Sequence, residues 1–404
     1  MAYANGNYCN LQETYLFTEI ANRVNAYTAA HPEKKIIRLG IGDVTLPLAP
    51  IVIDALHKAV DEMGAKETFR GYGPEQGYDF LRQAIVNYYA QRGVELAVDE
   101  IFVSDGAKSD CGNIGDIFAD ANTMLIQDPV YPVYLDTNIM RGRKVIYMDA
   151  TVENNFTPMP DNKVKADIIY LCSPSNPTGS VYTKEQLQKW VDYALSNDAI
   201  ILYDSAYESF VDGEKIPHSI FSVPDAKKCA IEFNSFSKIA GFTGTRCGYV
   251  VVPKGLERKA ENGKVMNLNA MWLRRQTTKF NGVPYIVQRA AEAALSEEGL
   301  KQCWENIAYY KENAQIMMKG FDECGIKYYG GVHSPYLWVQ CPNGMKSWEF
   351  FDNLLAKANV VGTPGCGFGV NGEGFLRLTS FGSRENTIEA MQRIVAVFKN
   401  KEKL

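Results

Sequence analysis

The segment Ser235-Phe236-Ser237-Lys238-Ile239-Ala240-Gly241-Phe242-Thr243-Gly244-Thr245-Arg246 constrains the architecture of this 404-residue chain more than any other. A lysine among small, apolar and hydroxyl residues loses its proton more readily than a solvated lysine, and a neutral amine reacts with aldehydes. The hydroxyls of Ser235 and Ser237 and the guanidinium of Arg246 suit a phosphate dianion. A lysine flanked by serines is more often a surface turn. The segment therefore needs support from elsewhere in the chain.

Two upstream segments supply that support, and each follows an apolar run that predicts a strand. They are Ser173-Pro174-Ser175-Asn176-Pro177-Thr178-Gly179 and Tyr203-Asp204-Ser205-Ala206-Tyr207. Pyridoxal phosphate has both an aldehyde and a phosphate, and its pyridine ring withdraws electrons only while a carboxylate such as Asp204 keeps the ring nitrogen protonated. Asn176 and Tyr207 can donate hydrogen bonds to the phenolate oxygen of that ring. The combination predicts pyridoxal phosphate as the cofactor.

The order and spacing of these motifs resemble the fold-type I aminotransferases, the aspartate aminotransferase superfamily, over nearly the whole chain. The resemblance implies an α/β fold with a mostly parallel seven-stranded sheet in a large domain and a smaller α+β domain. It makes Lys238 the catalytic residue, which holds the cofactor and then moves a proton at the substrate's α-carbon. It also implies a homodimer with shared active sites.

Strand-like and helical patterns alternate through the middle of the chain, which predicts a mostly parallel sheet covered by helices. Ligands bind at the carboxyl ends of the strands in such sheets, where Asn176, Asp204 and Lys238 all fall. We expect a large domain over residues 49–295 and a smaller one over 296–404, with an arm of residues 1–48 joining the smaller domain. The predicted strands are 101–104, 123–126, 144–147, 168–171, 199–203 and 230–233.

Further motifs fill in the cofactor site. Ser104-Asp105-Gly106-Ala107-Lys108-Ser109-Asp110 lies between a strand and a helical run, where free N–H groups favour an anion; an ordinary turn is an equally open reading of this segment alone. In the resembling family an aromatic at Tyr131 stacks on the cofactor ring, and Tyr72 contacts the phosphate of the neighbouring subunit. The residues expected to cradle the phosphate from below are Gly106, Ala107 and Lys108.

The segment Phe375-Leu376-Arg377-Leu378-Thr379 looks like the family's carboxylate-binding segment. A planar guanidinium holds an α-carboxylate with two parallel hydrogen bonds, so Arg377 is the expected clamp. Without the family pattern, an arginine in a strand more often pairs with a structural carboxylate.

A narrower resemblance is to the LL-diaminopimelate aminotransferases. It is carried by Asn10-Leu11-Gln12-Glu13-Thr14-Tyr15-Leu16-Phe17, Arg38-Leu39-Gly40-Ile41-Gly42-Asp43-Val44-Thr45-Leu46-Pro47, Gly73-Pro74-Glu75-Gln76-Gly77 and Lys279-Phe280-Asn281-Gly282. The implied substrates are LL-diaminopimelate, tetrahydrodipicolinate, glutamate and 2-oxoglutarate. An aminotransferase of another amino acid, or a related lyase, is the alternative, because the cofactor supplies the reaction and the pocket selects the bond.

The narrower resemblance also assigns substrate contacts. Glu75 and Asn281 of the partner subunit would bind the distal ammonium group, since a buried charge needs a partner. Lys108 and Tyr15 would face the distal carboxylate or the glutamate side chain. Pro74 can reshape the loop that presents Glu75. The full set of expected substrate-binding residues is Tyr15, Gly42, Glu75, Lys108, Tyr131, Asn176, Asn281 and Arg377.

Composition excludes several other classes of protein. A net charge of -5 and a pI near 5.6 argue against nucleic-acid binding, including a regulator with an added DNA-binding domain. Four histidines without metal-ligand spacing predict no metal site. Nine cysteines with no Cys-x-x-Cys pair fit a reducing compartment. With no signal peptide and no apolar span expected, we predict a cytoplasmic protein without membrane partners.

Two competing motifs carry less weight. Ser235-x-x-Lys238 matches the serine–lysine pattern of penicillin-recognising acylases, but their Ser-Asp-Asn and Lys-Thr-Gly motifs are missing from the sequence. Gly367-x-Gly369-x-x-Gly372 formally matches a dinucleotide fingerprint. It does not lead from a strand into a helix, so a flexible loop is the better prediction.

Overall fold

The computed structural model describes residues 1–11 and 16–399. Within these ranges the chain forms twelve α-helices and fifteen strands, joined by loops and short helical turns. The strands are β1 (Ile37–Arg38), β2 (Ile101–Ser104), β3 (Met124–Asp128), β4 (Val145–Asp149), β5 (Ile168–Cys172), β6 (Ile200–Asp204), β7 (Ala230–Ser235), β8 (Gly248–Val251), β9 (Glu257–Lys259), β10 (Val265–Asn267), β11 (Tyr328–Gly330), β12 (Tyr336–Gln340), β13 (Val360–Val361), β14 (Thr363–Pro364) and β15 (Phe375–Thr379). The helices are α1 (Leu16–Ala30), α2 (Pro50–Gly64), α3 (Asp79–Ala90), α4 (Ala107–Asn113), α5 (Pro132–Met140), α6 (Lys184–Ser196), α7 (Phe236–Ile239), α8 (Leu268–Lys279), α9 (Tyr285–Ala294), α10 (Glu297–Cys324), α11 (Ser347–Asn353) and α12 (Arg384–Phe398).

The central sheet has seven strands in the order β2-β8-β7-β6-β5-β3-β4. Its neighbours pair in parallel except at β8, which is antiparallel to both β2 and β7. All residues of β3, β5, β6 and β7 are buried, as expected for parallel strands that are covered by helices on both faces. The predicted α/β fold with a mostly parallel seven-stranded sheet is confirmed.

The register of the central sheet brings the predicted site segments to one edge. Cys172 at the end of β5 pairs with Asp204 at the end of β6, and Asp204 pairs with Phe233 near the end of β7. The segments that carry Asn176, Asp204 and Lys238 therefore leave the sheet side by side. This edge is the carboxyl end of the parallel strands, where the alternating pattern predicted a binding crevice.

A second, antiparallel sheet has the order β11-β12-β15-β14. Strand β1 lies near it and pairs in parallel with β13, where Ile37 is opposite Val360. Ile37 and Leu39 share a buried core with Leu376 and Leu378 of β15. The N-terminal segment is thus built into the same layer as the C-terminal strands.

Helix α10 contributes to two hydrophobic cores, one at each of its ends. The side chain of Ser296 accepts a hydrogen bond from the N–H of Gly299, and Gly325 ends the helix with φ 66°, as helix caps require. Leu300 packs in the core formed by α2, α3 and α9, whereas Phe321 packs in the core of the second sheet. Because one helix serves both cores, the domain limits 1–48, 49–295 and 296–404 stay a prediction.

No helix in the described ranges is both long enough and apolar enough to cross a membrane.

Candidate active site

Asp204 is buried at the carboxyl end of β6. The Tyr134 hydroxyl donates to its Oδ2, and the N–H of Ala206 donates to its Oδ1 at 3.0 Å. The Cys111 Sγ lies 3.8 Å from Oδ2. Burial raises the pKa of Asp204, while the hydrogen bond from Tyr134 opposes that rise. A fixed carboxylate of this kind suits a cationic partner such as a protonated ring nitrogen.

Lys238 follows β7 on the short helix α7, whose first turn is capped by the Ser235 side chain through the N–H of Ser237. The Lys238 Nζ donates to the carbonyl oxygen of Gly42 at 2.5 Å. Burial lowers the pKa of Lys238 to about 8, although Asp43 opposes this shift. The amine therefore loses its proton far more readily than an exposed lysine does.

Positive charge from Arg377 and Arg246 adds to the depression of the Lys238 pKa. The rings of Tyr207 and Phe381 lie 5.8 Å and 5.0 Å from Nζ and give the amine an aromatic surround.

The predicted phosphate cup is formed by two turns that approach closely. Arg246 has a left-handed backbone with φ 67°, and its Nη1 donates to the Ser237 Oγ at 3.3 Å. Gly106 has φ 136°, and a Cβ added there would overlap the Arg246 guanidinium. A Cβ added at Gly248, the first residue of β8, would lie 2.7 Å from the Gly106 Cα. Only glycine at both positions leaves room for this cup.

The turn below the cup, residues 104–110, is stabilised by hydrogen bonds between its own residues. The Ser104 hydroxyl donates to the buried Asp110 carboxylate and accepts the N–H of Gly106 at 3.2 Å. Ala107 is buried at the start of α4, whereas the Lys108 side chain is exposed. The structure therefore brings Gly106 and Ala107 to the cup and leaves Lys108 directed towards solvent in the single chain.

Arg377 is 2% exposed and lies on β15 of the second sheet. Its Nη1 donates to the Asn176 Oδ1 at 2.6 Å, and its Nη2 donates to the carbonyl oxygen of Gly40 at 2.8 Å. The guanidinium stacks over the Tyr336 and Phe368 rings at 4.7 and 4.8 Å. The candidate clamp thus contacts the loop that carries a predicted cofactor residue.

Both cations are held by one segment, residues 39–47, which we call the strap. Gly40 accepts from Arg377, and Gly42 accepts from Lys238. The strap is fixed by Thr363, whose hydroxyl donates to the carbonyl oxygen of Gly40 at 2.7 Å, and by Tyr310, whose hydroxyl accepts the N–H of Leu46 at 2.8 Å. The strap therefore forms one wall of the site.

Tyr131 and Tyr207 are the aromatic residues predicted to contact the ring. Tyr131 is half-buried, and its ring meets the Tyr134 ring edge-on at 5.7 Å. Tyr207 is buried, and its hydroxyl lies 2.5 Å from the hydroxyl of Tyr336. Tyr131 thus packs against the tyrosine that donates to Asp204, and Tyr207 contacts the second sheet.

Three residues expected to act across a subunit interface lie on the surface of the chain. Tyr72 is 93% exposed, Asn281 is exposed and Glu75 is half-buried. A Cβ added at Gly282 would lie 3.1 Å from the carbonyl oxygen of Pro74. The loops of Glu75 and Asn281 are thus adjacent. Their accessible position agrees with a role in a neighbouring subunit. The predicted Tyr15 lies outside the described residues.

Sequence reasoning missed several residues of the site. Tyr134 and Cys111 contact Asp204, Tyr336 contacts Tyr207, and Phe381 packs against Lys238. Tyr134 is three residues after Tyr131 on the same helical run, which is a weak local signal. Tyr336 and Phe381 come from distant strands and loops, and no local pattern marks them.

Within residues 1–11 and 16–399, no group of three or more His, Cys, Asp or Glu side chains is placed to hold a metal ion.

Known proteins resemble the chain over almost its whole length. A family model described as aminotransferase class I and II matches residues 34–394. A protein of Parabacteroides distasonis named LL-diaminopimelate aminotransferase is 55% identical over 406 residues, which cover 98% of this chain and 99% of that protein. One of the same name from Bacteroides fragilis is 56% identical over 408 residues, with the same coverage of 98% and 99%.

A solved structure shows the same similarity in three dimensions. The L,L-diaminopimelate aminotransferase from Chlamydomonas reinhardtii superposes with a TM-score of 0.91 at 43% identity, over 98% of this chain and 99% of that chain. The resemblance predicted from the motifs is therefore confirmed. The chain belongs to the class I and II aminotransferases and, within them, to the family of the LL-diaminopimelate aminotransferases.

Proposed function

We propose that this chain holds pyridoxal phosphate at Lys238 and catalyses amino transfer between LL-diaminopimelate and 2-oxoglutarate. In the opposite direction it forms LL-diaminopimelate from tetrahydrodipicolinate and glutamate, which serves lysine and peptidoglycan precursor synthesis. The observation that supports it best is that Lys238 and Arg377 both donate to the strap. The lysine has a pKa lowered to about 8, and the buried arginine can clamp a carboxylate.

The residues present fit the cofactor. The buried carboxylate of Asp204 and the guanidinium of Arg246 offer opposite charges to the ring nitrogen and the phosphate of pyridoxal phosphate. Glycine at Gly106, where a Cβ would overlap Arg246, leaves a cradle for the phosphate oxygens. The donor set therefore matches both polar ends of the molecule.

Specific roles follow from this match. The phosphate would be held by Ser235, Ser237, Arg246 and the backbone of Gly106, Ala107 and Lys108, with Tyr72 of the partner subunit. Tyr131 would stack on the ring, and Asn176 and Tyr207 would donate to its phenolate oxygen. When bound, pyridoxal phosphate supplies an electron-poor ring that delocalises negative charge formed at the substrate's α-carbon.

Lys238 performs the proton transfer. Its lowered pKa gives a neutral fraction near neutral pH, so the amine can take the proton from the substrate's α-carbon, hold it and release it again. Beside a cationic ring nitrogen Asp204 would stay ionised, because the opposite charge favours the carboxylate. Two half-reactions at one site predict ping-pong kinetics.

Substrate orientation depends on Arg377. Its guanidinium can form two parallel hydrogen bonds to the α-carboxylate, which selects the face of the substrate that meets the ring. The carbonyl oxygen of Gly40 now accepts from the Arg377 Nη2, so the substrate competes with the strap for this donor.

The distal end of LL-diaminopimelate carries both an ammonium and a carboxylate. We assign the distal ammonium to Glu75 and Asn281 of the partner subunit, whose loops are adjacent and accessible. Tyr15, Lys108 and Gly42 would line the remainder of the substrate pocket. This assignment requires a homodimer in which each active site takes residues from both subunits.

A reducing compartment suits the chain. All nine cysteines are free thiols, as is usual for cytoplasmic proteins. We therefore place the enzyme in the cytoplasm.

The absorption spectrum of the cofactor-reconstituted protein tests the proposal. LL-diaminopimelate and glutamate, each added without a keto acid, should replace the band of the lysine-bound cofactor, whereas meso-diaminopimelate and aspartate should leave it unchanged. A response to glutamate and not to LL-diaminopimelate would reject the substrate assignment in favour of another aminotransferase. Elimination products would indicate a lyase, and no cofactor band at all would reject the enzyme class.

A further inference from the structure

One hydrogen bond in the site links the second sheet to the cofactor loop. The hydroxyl of Tyr336, the first residue of β12, lies 2.5 Å from the hydroxyl of Tyr207, and either oxygen can be the donor. The two rings meet edge-on at 5.1 Å. Tyr336 is 1% exposed and Tyr207 is 8% exposed, so water competes little for this contact.

The surroundings of Tyr336 fix its hydroxyl in this direction. The Arg377 guanidinium lies over its ring at 4.7 Å. The strap passes directly over its oxygen, since a Cβ added at Gly42 would lie 2.7 Å from the Tyr336 Oη. A side chain at position 42 would push the tyrosine away from Tyr207. Glycine at 42 therefore preserves the contact.

Both phenols keep their protons. Burial raises the pKa of Tyr207 and of Tyr336, while the positive charge of Arg377 opposes the rise for each. Other groups that influence the pair are Tyr131, Cys172 and Asp204, and the Lys238 Nζ lies 5.8 Å from the Tyr207 ring.

A phenol has one proton to donate and two lone pairs that accept. If Tyr207 donates to an oxygen on the cofactor, its own oxygen is left as the acceptor for Tyr336. A donor that itself accepts a hydrogen bond is polarised and becomes a stronger donor. The pair then forms a chain of two hydrogen bonds that runs from the second sheet to the ring.

We propose that Tyr336 is a positioning residue that donates to Tyr207 and thereby directs the single proton of Tyr207 to the phenolate oxygen of the bound cofactor. This inference rests on the proposed binding of pyridoxal phosphate. A stronger hydrogen bond to that oxygen stabilises its negative charge, and this lowers the proton affinity of the neighbouring nitrogen that joins Lys238 to the cofactor. Tyr336 thus tunes the reactivity of the resting enzyme through Tyr207.

The test is a pH titration of the visible absorption band of the reconstituted holoenzyme. Tyr336→Phe keeps the ring beneath Arg377 and removes only the hydroxyl, so we expect the midpoint to rise by about half a pH unit. The matched control is Tyr182→Phe, because Tyr182 is also 1% exposed and its hydroxyl is hydrogen-bonded to Gln127 and Pro158. The control should keep the wild-type midpoint.

A double-mutant cycle separates positioning from general packing. In a Tyr207→Phe background, adding Tyr336→Phe should cause no further change in the midpoint, because the proposed effect passes through the Tyr207 hydroxyl. An unchanged or lowered midpoint in Tyr336→Phe, an equal shift in Tyr182→Phe, or additive shifts in the double variant would overturn the proposal. Absence of any cofactor band in the wild-type protein would instead refute the proposed function together with this role.

Discussion

At the residue scale, burial is the main influence on the pKa of Lys238. The Lys238 Nζ donates to the backbone carbonyl oxygen of Gly42. A neutral acceptor of this kind holds the amine in place without the stabilisation of its charged form that a carboxylate would give.

Lys238 should destabilise the folded, cofactor-free protein at neutral pH. Its pKa falls from 10.5 to about 8 on folding, so below pH 8 the folded state holds a charge that costs up to about 3 kcal/mol. Between pH 8 and 10.5 the unfolded chain binds more protons than the folded one, and stability rises with pH. Lys238→Met should therefore be more stable than wild type at pH 7, with the advantage disappearing near pH 10.5.

Urea unfolding of the cofactor-free proteins at pH 7 and pH 10 measures this effect. Lys189→Met, at an exposed position of α6, serves as the control and should show no such pH-dependent gain. An advantage of Lys238→Met that is the same at both pH values would show that packing, not charge, sets the difference.

Glu75 should determine selectivity for the distal end of the substrate. Glu75→Gln removes the charge that would pair with the distal ammonium, and we expect the KM for LL-diaminopimelate to rise about 30-fold or more. The KM for glutamate should change little, because glutamate has no distal ammonium. Steady-state kinetics with both substrates measures the ratio, with the exposed Glu67→Gln as control. Equal losses on both substrates would remove Glu75 from this role.

At the residue scale, the motifs identified the charged groups but not their contacts. Asn176 and Arg377 were each predicted, yet the 2.6 Å hydrogen bond between them joins positions 201 residues apart. Tyr336 could not be singled out, since its function depends on where β12 packs. Local pattern indicates chemistry, whereas tertiary packing decides which groups meet.

At the scale of elements, the apolar runs located most central strands closely. Strand β2 was predicted at its observed limits, and the predicted end of β7 fell two residues short of Ser235. Strand β8 was not among the predicted runs, although residues 248–251 are apolar and all buried. Its antiparallel direction follows from pairing with β2 and β7, which no local pattern encodes.

The first residue of β8 should control the phosphate cup. A methyl group at Gly248 would meet the Gly106 Cα at 2.7 Å and the Asn234 carbonyl oxygen at 2.9 Å, and both are backbone atoms. Overpacking of this kind costs about 1–3 kcal/mol. Gly248→Ala should lower the free energy of unfolding by that amount and weaken cofactor binding at least tenfold, as measured by urea unfolding and by fluorescence titration.

Gly244→Ala provides the matched control four residues earlier, because a Cβ there meets nothing within 4 Å. It should leave both quantities close to wild type. Similar losses in the two variants would contradict the assignment of the cup to the contact between Gly248 and Gly106.

At the scale of the whole molecule, the family resemblance predicts a dimer with shared active sites, which is a property of two chains and not of one. The two-sheet architecture follows from the sequence pattern and the resemblance together. Sharing of sites between subunits depends on a second copy of the chain, and it stays a prediction. The exposed Tyr72 side chain is the residue through which it can be tested.

Subunit mixing should restore activity to two inactive variants. In a heterodimer of Lys238→Ala and Tyr72→Ala subunits, one site combines an intact Lys238 with the partner subunit's intact Tyr72. An equal mixture should then recover about a quarter of the native sites, since half of the dimers are mixed and each has one intact site. Activity of co-expressed, differently tagged subunits measures the recovery.

Lys238→Ala mixed with Arg377→Ala is the control, because both residues belong to the same subunit's site and no mixed dimer regains an intact one. Failure of the Tyr72 mixture to exceed its parent variants would place Tyr72 in its own subunit's site or outside any site.

Because the strap docks on residues near the end of the chain, the active site is completed late in synthesis. Gly40 of the strap and Thr363, which fixes it, are 323 residues apart in the chain. At about 5–20 residues per second, a ribosome needs roughly 15–65 s to synthesise the intervening segment. The central sheet, which ends with β8 at Val251, is synthesised within that interval and can then fold around Asp204 and Lys238, but the carbonyl acceptors of the strap still have no layer on which to dock. The crevice is therefore completed only when the last strands emerge, and a chain released early would lack one wall of its active site.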